Sequence, residues 1–372
     1  MSRNILFILG TRPEAIKLAP LIHLFKDSDE FTATVCLTGQ HKELINDVLP
    51  FFGIEPDLRL SIMKEDQSLA ELTRRAISAL NPILQRTRPL LVIVQGDTTT
   101  SFVASLTAFY NRIPVAHIEA GLRSFNKFAP FPEEMNRVLI SHLADYHFAP
   151  TNRAKENLLR EGITKNVWVV GNTVVDALMI AVRKIRSSEE EYLEKFSFLD
   201  LSRKLILVTT HRRESFGEPL VEICSALKEI SYSFKDVEII LPVHPNPNVR
   251  NSVISHLKGI ERIHLVDPLP YPDLVWIMSR SFLILTDSGG IQEEAPSLGV
   301  PVLVMREVTE RIEGLDSGNA ILVGTSKKRI LEEAANLISN DEIYNKLSKA
   351  NNPYGDGKSS RRIYNIISEV FP

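Results

Sequence analysis

Residues 282–299, FLILTDSGGIQEEAPSLG, pass from an apolar run through Thr286, Asp287 and Ser288, then two glycines, into good helix formers. A strand turning on glycines into a helix leaves several backbone N–H groups unpaired and pointing one way. With the positive end of the helix dipole, those groups suit a phosphate held at Ser288, Gly289 and Gly290. Glu293 and Glu294 follow one turn later, where a carboxylate accepts from ribose hydroxyls. An ordinary tight turn in which Ser288 only caps the helix fits the same residues.

Other chemistry-bearing residues fall directly after apolar runs. Gly10-Thr11-Arg12-Pro13-Glu14 leads to Lys17. Pro13 suits a first helical turn, so Arg12 stands at the helix mouth as a fork for phosphate or carboxylate oxygens, with Lys17 as a point charge one turn on. A simple pairing of Arg12 with Glu14 is the alternative. Asp97 and Glu119 each follow a buried run, and Glu133-Glu134 opens a helix reached by a loop from Gly121. Carboxylates at such positions are partly desolvated and suit proton transfer, although each alone also reads as a helix cap or a partner for a nearby arginine. In the second half, Thr210 is followed by His211, Arg212 and Arg213, a cationic cluster that calls for an anion. His244 follows the next run, and the 305–311 loop brings Glu310 and Arg311. Cations and a glycine turn thus gather in the second half and carboxylates in the first. A nucleoside diphosphate linked to a sugar would span such a division.

The elements that must present these groups are short β-branched runs alternating with helical patterns. The strand expectations are 5–9, 32–37, 90–94, 115–118, 146–149 and 167–170, then 205–209, 238–242, 263–266, 283–286, 302–305 and 320–323. Between them lie amphipathic segments such as Pro13–Phe25 and Leu69–Leu84. Such alternation predicts parallel sheets covered on both faces, and two sets of six predict two doubly wound Rossmann-like α/β domains facing a cleft. The expected domains are 1–170 and 171–372, with Asn172-Thr173 capping the first helix after the boundary.

The chain has 372 residues, long enough for two cores, and 44% hydrophobic content. Its 43 basic and 46 acidic residues give a net charge of −3. No global basic field for nucleic acid follows from that balance, and no apolar run is long enough for a membrane span. Cys36 and Cys224 sit far apart in apolar patterns and read as core residues of a reducing, cytoplasmic compartment. The histidines lack metal-ligand spacing, no G-x-x-x-x-G-K-S/T or G-x-S-x-G occurs, and the dinucleotide glycine pattern is missing after the first strand. Neither a metal nor a nicotinamide cofactor is expected.

Together GTRPEAIK (10–17), GDTTT (96–100), HIEAGLR (117–123), PEEMNR (132–137), HRRESFG (211–217), TDSGGIQEEAPSLG (286–299) and NPYGDG (352–357) resemble the non-hydrolysing UDP-N-acetylglucosamine 2-epimerases, essentially from end to end. The resemblance implies a glycosyltransferase-B architecture whose last helix, 359–371, returns to the first domain. It implies reversible interconversion of UDP-GlcNAc and UDP-ManNAc without a cofactor, by elimination of UDP to a 2-acetamidoglucal and re-addition, supplying cell-surface polysaccharide synthesis. By the same resemblance Asp97, Glu119, Glu133 and His211 are catalytic. Arg12, Lys17, Arg212, Ser288, Gly289, Gly290, Glu294 and Arg311 bind substrate, and a homodimer is implied. Some members bind a second, activating UDP-GlcNAc, through positions matching Gln40, Arg212 and His244. Here Asp66 and Glu43 replace an arginine and a glutamine of that pattern, so activation is expected to be weaker. Gln95 and Ile312 also depart from the pattern, in place of histidine and proline. A UDP-sugar glycosyltransferase, which would yield free UDP with a new glycoside, and a hydrolysing 2-epimerase, which would release UDP and N-acetylmannosamine irreversibly, are the competing readings.

Overall fold

The computed structural model describes residues 3–40, 47–64, 66–210, 212 and 216–372. It divides into two compact units: Met1–Ala177 with Tyr354–Pro372, and Leu178–Pro353. The break therefore falls inside the helix Thr173–Arg186, seven residues beyond the expected 170/171, and the C-terminal segment belongs to the first unit. The first turn of that helix stays with unit 1 because Asp176 accepts the backbone N–H groups of Ser359 and Ser360 at 3.2 and 2.8 Å. Those bonds cap the start of the last helix, Ser359–Val370.

Unit 1 contains β1 (Asn4–Leu9), β2 (Thr32–Leu37), β3 (Leu58–Arg59), β4 (Leu91–Gln95), β5 (Val115–Ile118), β6 (Tyr146–Ala149) and β7 (Val167–Val169). They form one parallel sheet in the order β3-β2-β1-β4-β5-β6-β7. The sheet has seven strands where six were expected. Leu58–Arg59 is a two-residue edge strand paired with Cys36 and Leu37, too short to show any periodicity. Unit 2 contains β8 (Lys204–Thr209), β9 (Val237–Pro242), β10 (Ile263–Val266), β11 (Leu283–Thr286), β12 (Val302–Val304) and β13 (Ala320–Leu322), parallel in the order β10-β9-β8-β11-β12-β13.

The central strands are near-continuous apolar runs because helices cover both faces. Asn4–Leu9 is buried at every position, and Leu6, Ile8, Val92, Val94 and Val103 share one core. In unit 2 the corresponding core joins Ile206, Val208, Leu227, Ile239, Leu285 and Leu303. Cys36 and Cys224 lie in these cores, and burial pushes both thiols up to about 12, so they act as small apolar residues. Among the described residues no helix is long and apolar enough to cross a membrane.

Each strand order reverses once, between β1 and β4 in unit 1 and between β8 and β11 in unit 2. Doubly wound sheets bind ligands beyond the carboxyl ends of the strands at such switch points. The loops there are Gly10–Arg12 and Gly96–Thr98 in unit 1, and Thr210 and Asp287–Ser288 in unit 2. Arg12, Asp97, Ser288 and Arg212 are on or next to these loops, whereas Glu119 follows β5 and His244 follows β9.

Candidate active site

In unit 1 the β1 loop is held down by Glu14. Its side chain is fully buried and accepts from Gly10 N (2.9 Å), Thr11 N (2.7 Å), Thr11 Oγ1 (2.7 Å), Thr98 Oγ1 (2.6 Å) and Ser101 Oγ (2.8 Å). Arg12 is not among these partners, so the simple Arg12–Glu14 pairing is excluded. Glu14 instead joins the loop carrying Arg12 to the loop carrying Asp97. Burial raises its carboxyl above the ordinary value of 4.5, and the hydrogen bonds from Thr98, Thr11, Gly10 and Ser101 offset that only in part. Gly10 is required by close approach, since a Cβ there would overlap the Thr38 and Thr100 hydroxyls. Gln40 belongs to the same knot, its Oε1 accepting from Thr100 Oγ1 at 2.6 Å.

Glu119, one residue past β5, has φ +65, a left-handed conformation that costs a non-glycine residue roughly 1–2 kcal/mol. Four contacts hold its carboxylate there. Lys17 Nζ donates to both oxygens at 2.7 and 2.8 Å, Gln95 Nε2 donates to Oε2, and Asn172 Nδ2 donates to Oε1 at 3.2 Å. Lys17 and Glu119 are each 8% exposed, so the ion pair is a buried one. Beneath it, His117 donates its Nε2–H to Gly96 O at 2.7 Å; burial pushes its pKa down to about 3, which makes it a neutral core histidine.

Asp97, after β4, is more open. Arg137 approaches its Oδ2 through Nε (2.9 Å) and Nη2 (2.7 Å), and Asn136 Nδ2 donates to its carbonyl at 2.8 Å. Both partners come from the helix Glu133–Leu143, so its first turns lie beside Asp97. The acidic pair at that helix start divides. Glu134 is buried, accepts from Ser124 N and Phe125 N at 2.9 Å each, and pairs with Arg137 at 3.1 Å. Glu133 is half-buried and has no hydrogen-bond or ion-pair partner among the described residues.

In unit 2 Arg212 already has its anions. Its backbone N–H donates to Asp287 Oδ2 (2.9 Å), its Nε to Asp287 O (3.0 Å), and its Nη2 to Glu310 (3.4 Å). The cationic cluster after β8 therefore does not by itself demand a ligand at Arg212. Glu310 is shared with Arg306 at 2.7 Å and Arg311 at 3.3 Å. Burial alone would raise its carboxyl, but Arg311, Arg306 and Arg212 together hold it at about 2.

Arg311 also donates to Glu293 at 2.8 Å, and its guanidinium lies 3.4 Å from where a Cβ at Gly289 would be. The helix Gly289–Glu294 continues as the 3-10 turn Ala295–Leu298. Ser288 is its N-cap residue but makes no side-chain cap bond; its N–H donates to Thr286 Oγ1 at 2.9 Å. Glu294 accepts from Tyr271 at 3.0 Å. His244 accepts from Asn246 N at 3.2 Å and lines a small recess with Thr209, Thr210 and Leu274. His211 and Glu43 lie outside the described residues, and Asp66 is exposed with φ +52.

Composition and spacing alone did not pick out Asn172 as a contact of Glu119, nor Glu14 as the joint between two loops. Thr11-x-x-Glu14 carries a local signal, the capping-box spacing. The Asn172 contact spans 53 residues and has none.

The profile of the UDP-N-acetylglucosamine 2-epimerase family matches residues 23–368. The UDP-N-acetylglucosamine 2-epimerase of Escherichia coli K12 is 50% identical over 368 residues, covering 98% of this chain and 98% of that protein. That of Yersinia pestis is 49% identical over the same length. Among solved structures, UDP-GlcNAc 2-epimerase from Neisseria meningitidis bound to UDP-GlcNAc superposes with a TM-score of 0.94 at 45% identity, over 98% of this chain and 100% of that one. The Methanocaldococcus jannaschii enzyme in complex with UDP-GlcNAc and UDP gives 0.84 at 35% identity, over 98% and 99%. Two parallel α/β units with these loops at their switch points, and this likeness over nearly the whole chain, establish that the protein belongs to the UDP-N-acetylglucosamine 2-epimerase family.

Proposed function

We propose that the protein interconverts UDP-GlcNAc and UDP-ManNAc by the non-hydrolysing route, the product feeding cell-surface polysaccharide synthesis. The C2 hydrogen of the sugar is not acidic, so simple deprotonation is too slow. Elimination removes that proton while the C1–O bond breaks and its electron pair leaves on the β-phosphate oxygen of UDP. The C2 electrons form the C1=C2 bond of a 2-acetamidoglucal. Return of UDP to C1, with protonation of C2 on the opposite face, gives the epimer. Atoms and electrons balance without a redox cofactor.

The observation that carries this reading is the Glu119 carboxylate, buried in a strained backbone position and paired with Lys17. Such surroundings suit a group that exchanges a proton with carbon while water is kept away. In this proposal Asp97, Glu119 and Glu133 form the acid–base set and His211 assists at the diphosphate. Arg12, Arg212, Arg311 and the Ser288–Gly290 backbone stabilise departing UDP, and Glu294 meets the ribose. Lys17 acts first on Glu119 and only through it on substrate. Gln40, Arg212 and His244 would contact an activating second UDP-GlcNAc, weakened by Asp66 and Glu43. A homodimer belongs to the same proposal, read by light scattering.

Incubation with UDP-GlcNAc in deuterated water tests it. The expected result is solvent deuterium at C2 of both UDP-sugars in a mixed equilibrium. Free N-acetylmannosamine, or a new glycoside formed with an acceptor, would replace it by the hydrolysing or transferase reading.

A further inference from the structure

Glu119 accepts from the neutral donors Gln95 and Asn172 as well as from Lys17, and Asn172 does more than touch it. Asn172 is 2% exposed, and three of its groups are committed in three directions. Its amide donates to Glu119 Oε1 at 3.2 Å, its Oδ1 accepts from Val174 N at 3.1 Å, and its backbone N–H donates to Tyr354 O at 2.6 Å. The first bond reaches the carboxylate, the second caps the helix Thr173–Arg186, and the third grips the chain as it re-enters unit 1 after Pro353. Gly171 makes that grip possible: at φ +90 its Cα lies so close to the returning turn that a Cβ would meet Ser359 Oγ and sit 3.3 Å from both Gly355 Cα and Tyr354 O.

We propose that Asn172 is a positioning residue for Glu119, and that the returning segment Tyr354–Ser360 holds it in place. The amide donor fixes which way Oε1 faces and keeps it an acceptor, while Tyr354 O and the Asp176 bonds to Ser359 and Ser360 fix Asn172 itself. Among the described residues, charged and titratable groups near this carboxylate include Lys17 and the neutral His117, with Gln95 as the second amide. The inference rests on Glu119 being catalytic.

Two variants separate positioning from capping. Asn172→Asp keeps the oxygen that caps the helix but puts an acceptor, and at neutral pH a charge, against Glu119. Asn172→Ala loses both bonds. A capping role alone predicts that Asn172→Asp is the more stable and the more active of the two. Positioning predicts the crossed order. Asn172→Asp should be the more stable variant, yet have the lower kcat, reduced on the order of 10²-fold with KM near the wild-type value. The acid limb of its kcat–pH profile should move to higher pH, because a like charge disfavours ionisation of Glu119.

The returning segment is tested by Asp176→Ala, which frees the N–H groups of Ser359 and Ser360. It should lower kcat in the wild-type background and leave it unchanged in the Asn172→Asp background. Activities that follow stability, or an unmoved acid limb, would overturn the positioning role. Additive effects of Asp176→Ala would overturn the part assigned to the segment. Glu119→Gln, run alongside, tells the two ideas apart: deuterium exchange persisting in Glu119→Gln removes the catalytic reading. If exchange is lost there while Asn172→Asp behaves as wild type, only the present inference fails.

Discussion

Glu14 at the strand ends of unit 1 and Glu310 at those of unit 2 are both largely withdrawn from water, yet their proton affinities move in opposite directions. Glu14 has five donors and, among the described residues, no cation: its pKa is raised from 4.5. Glu310 has three guanidinium groups: its pKa falls from 4.5 to about 2. At Glu14 neutral donors offset the desolvation only in part, whereas at Glu310 paired full charges more than offset it. The two rims are built on different terms. In unit 1 the surroundings serve the carboxylates, and Lys17 is placed to hold Glu119. In unit 2 the carboxylates serve the arginines, and one Glu310 is shared by three of them. Under the proposed function, proton transfer at the unit 1 rim and diphosphate binding at the unit 2 rim would call for these two treatments.

The largest effect that would sharpen the contrast comes from Glu119→Gln. The amide keeps the shape, loses the proton-transfer group, and turns a donor towards Lys17. Deuterium incorporation at C2 should fall by about 10²- to 10⁴-fold, the usual contribution of a general acid or base. Binding of UDP alone, followed by calorimetry, should change little, since unit 2 is untouched. Loss of UDP affinity equal to the loss of rate would break the assignment of Glu119 to proton transfer apart from UDP binding.

Glu310→Gln comes next and acts on stability. The sign follows from a depressed folded pKa: the contribution is fully present above 4.5 and is lost as pH falls towards about 2. The drop from 4.5 to about 2 at about 1.4 kcal/mol per unit corresponds to about 3 kcal/mol. Urea denaturation should find the variant less stable by that order at neutral pH, with the gap closing below about pH 4. A gap independent of pH would mean that Glu310 contributes by packing and not as the anion shared by Arg212, Arg306 and Arg311.

The sequence revealed this difference unevenly, for physical reasons. The strands were legible because a parallel sheet covered on both faces leaves near-continuous apolar runs; only Leu58–Arg59, a two-residue edge pairing, carried no such mark. Positions of site residues followed from the strands, since whatever comes after a buried strand lies at its carboxyl end. Partners did not follow. Lys17 read as a phosphate-binding point charge, and its ion pair with Glu119, 102 residues away, depends on β1 and β5 lying on either side of β4. Arg212 read as calling for an external anion because Glu310, 98 residues on, could not be known to reach it. Local chemistry is written in spacing, whereas long-range pairing is written in strand order, and strand order is not visible residue by residue.

The smallest expected effect is the most direct test of the contrast, because its sign is opposite to that of Glu310. Glu14 has a raised folded pKa, so its contribution is fully present below 4.5 and is lost as pH rises through the folded value. Glu14→Gln resembles the neutral acid. Its carbonyl oxygen accepts from Gly10 N and Thr11 N, and its amide donates to the Thr98 and Ser101 oxygens once those hydroxyls rotate. At neutral pH the change in stability should be less than about 1 kcal/mol. The variant should gain on the wild type as pH rises from 4.5, where Glu310→Gln falls behind. Thermal melts of both variants and the wild type across that range would show two lines of opposite slope. A Glu14→Gln deficit that widens with pH would show that Glu14, like Glu310, is held as an anion, and the distinction between the two rims would fail.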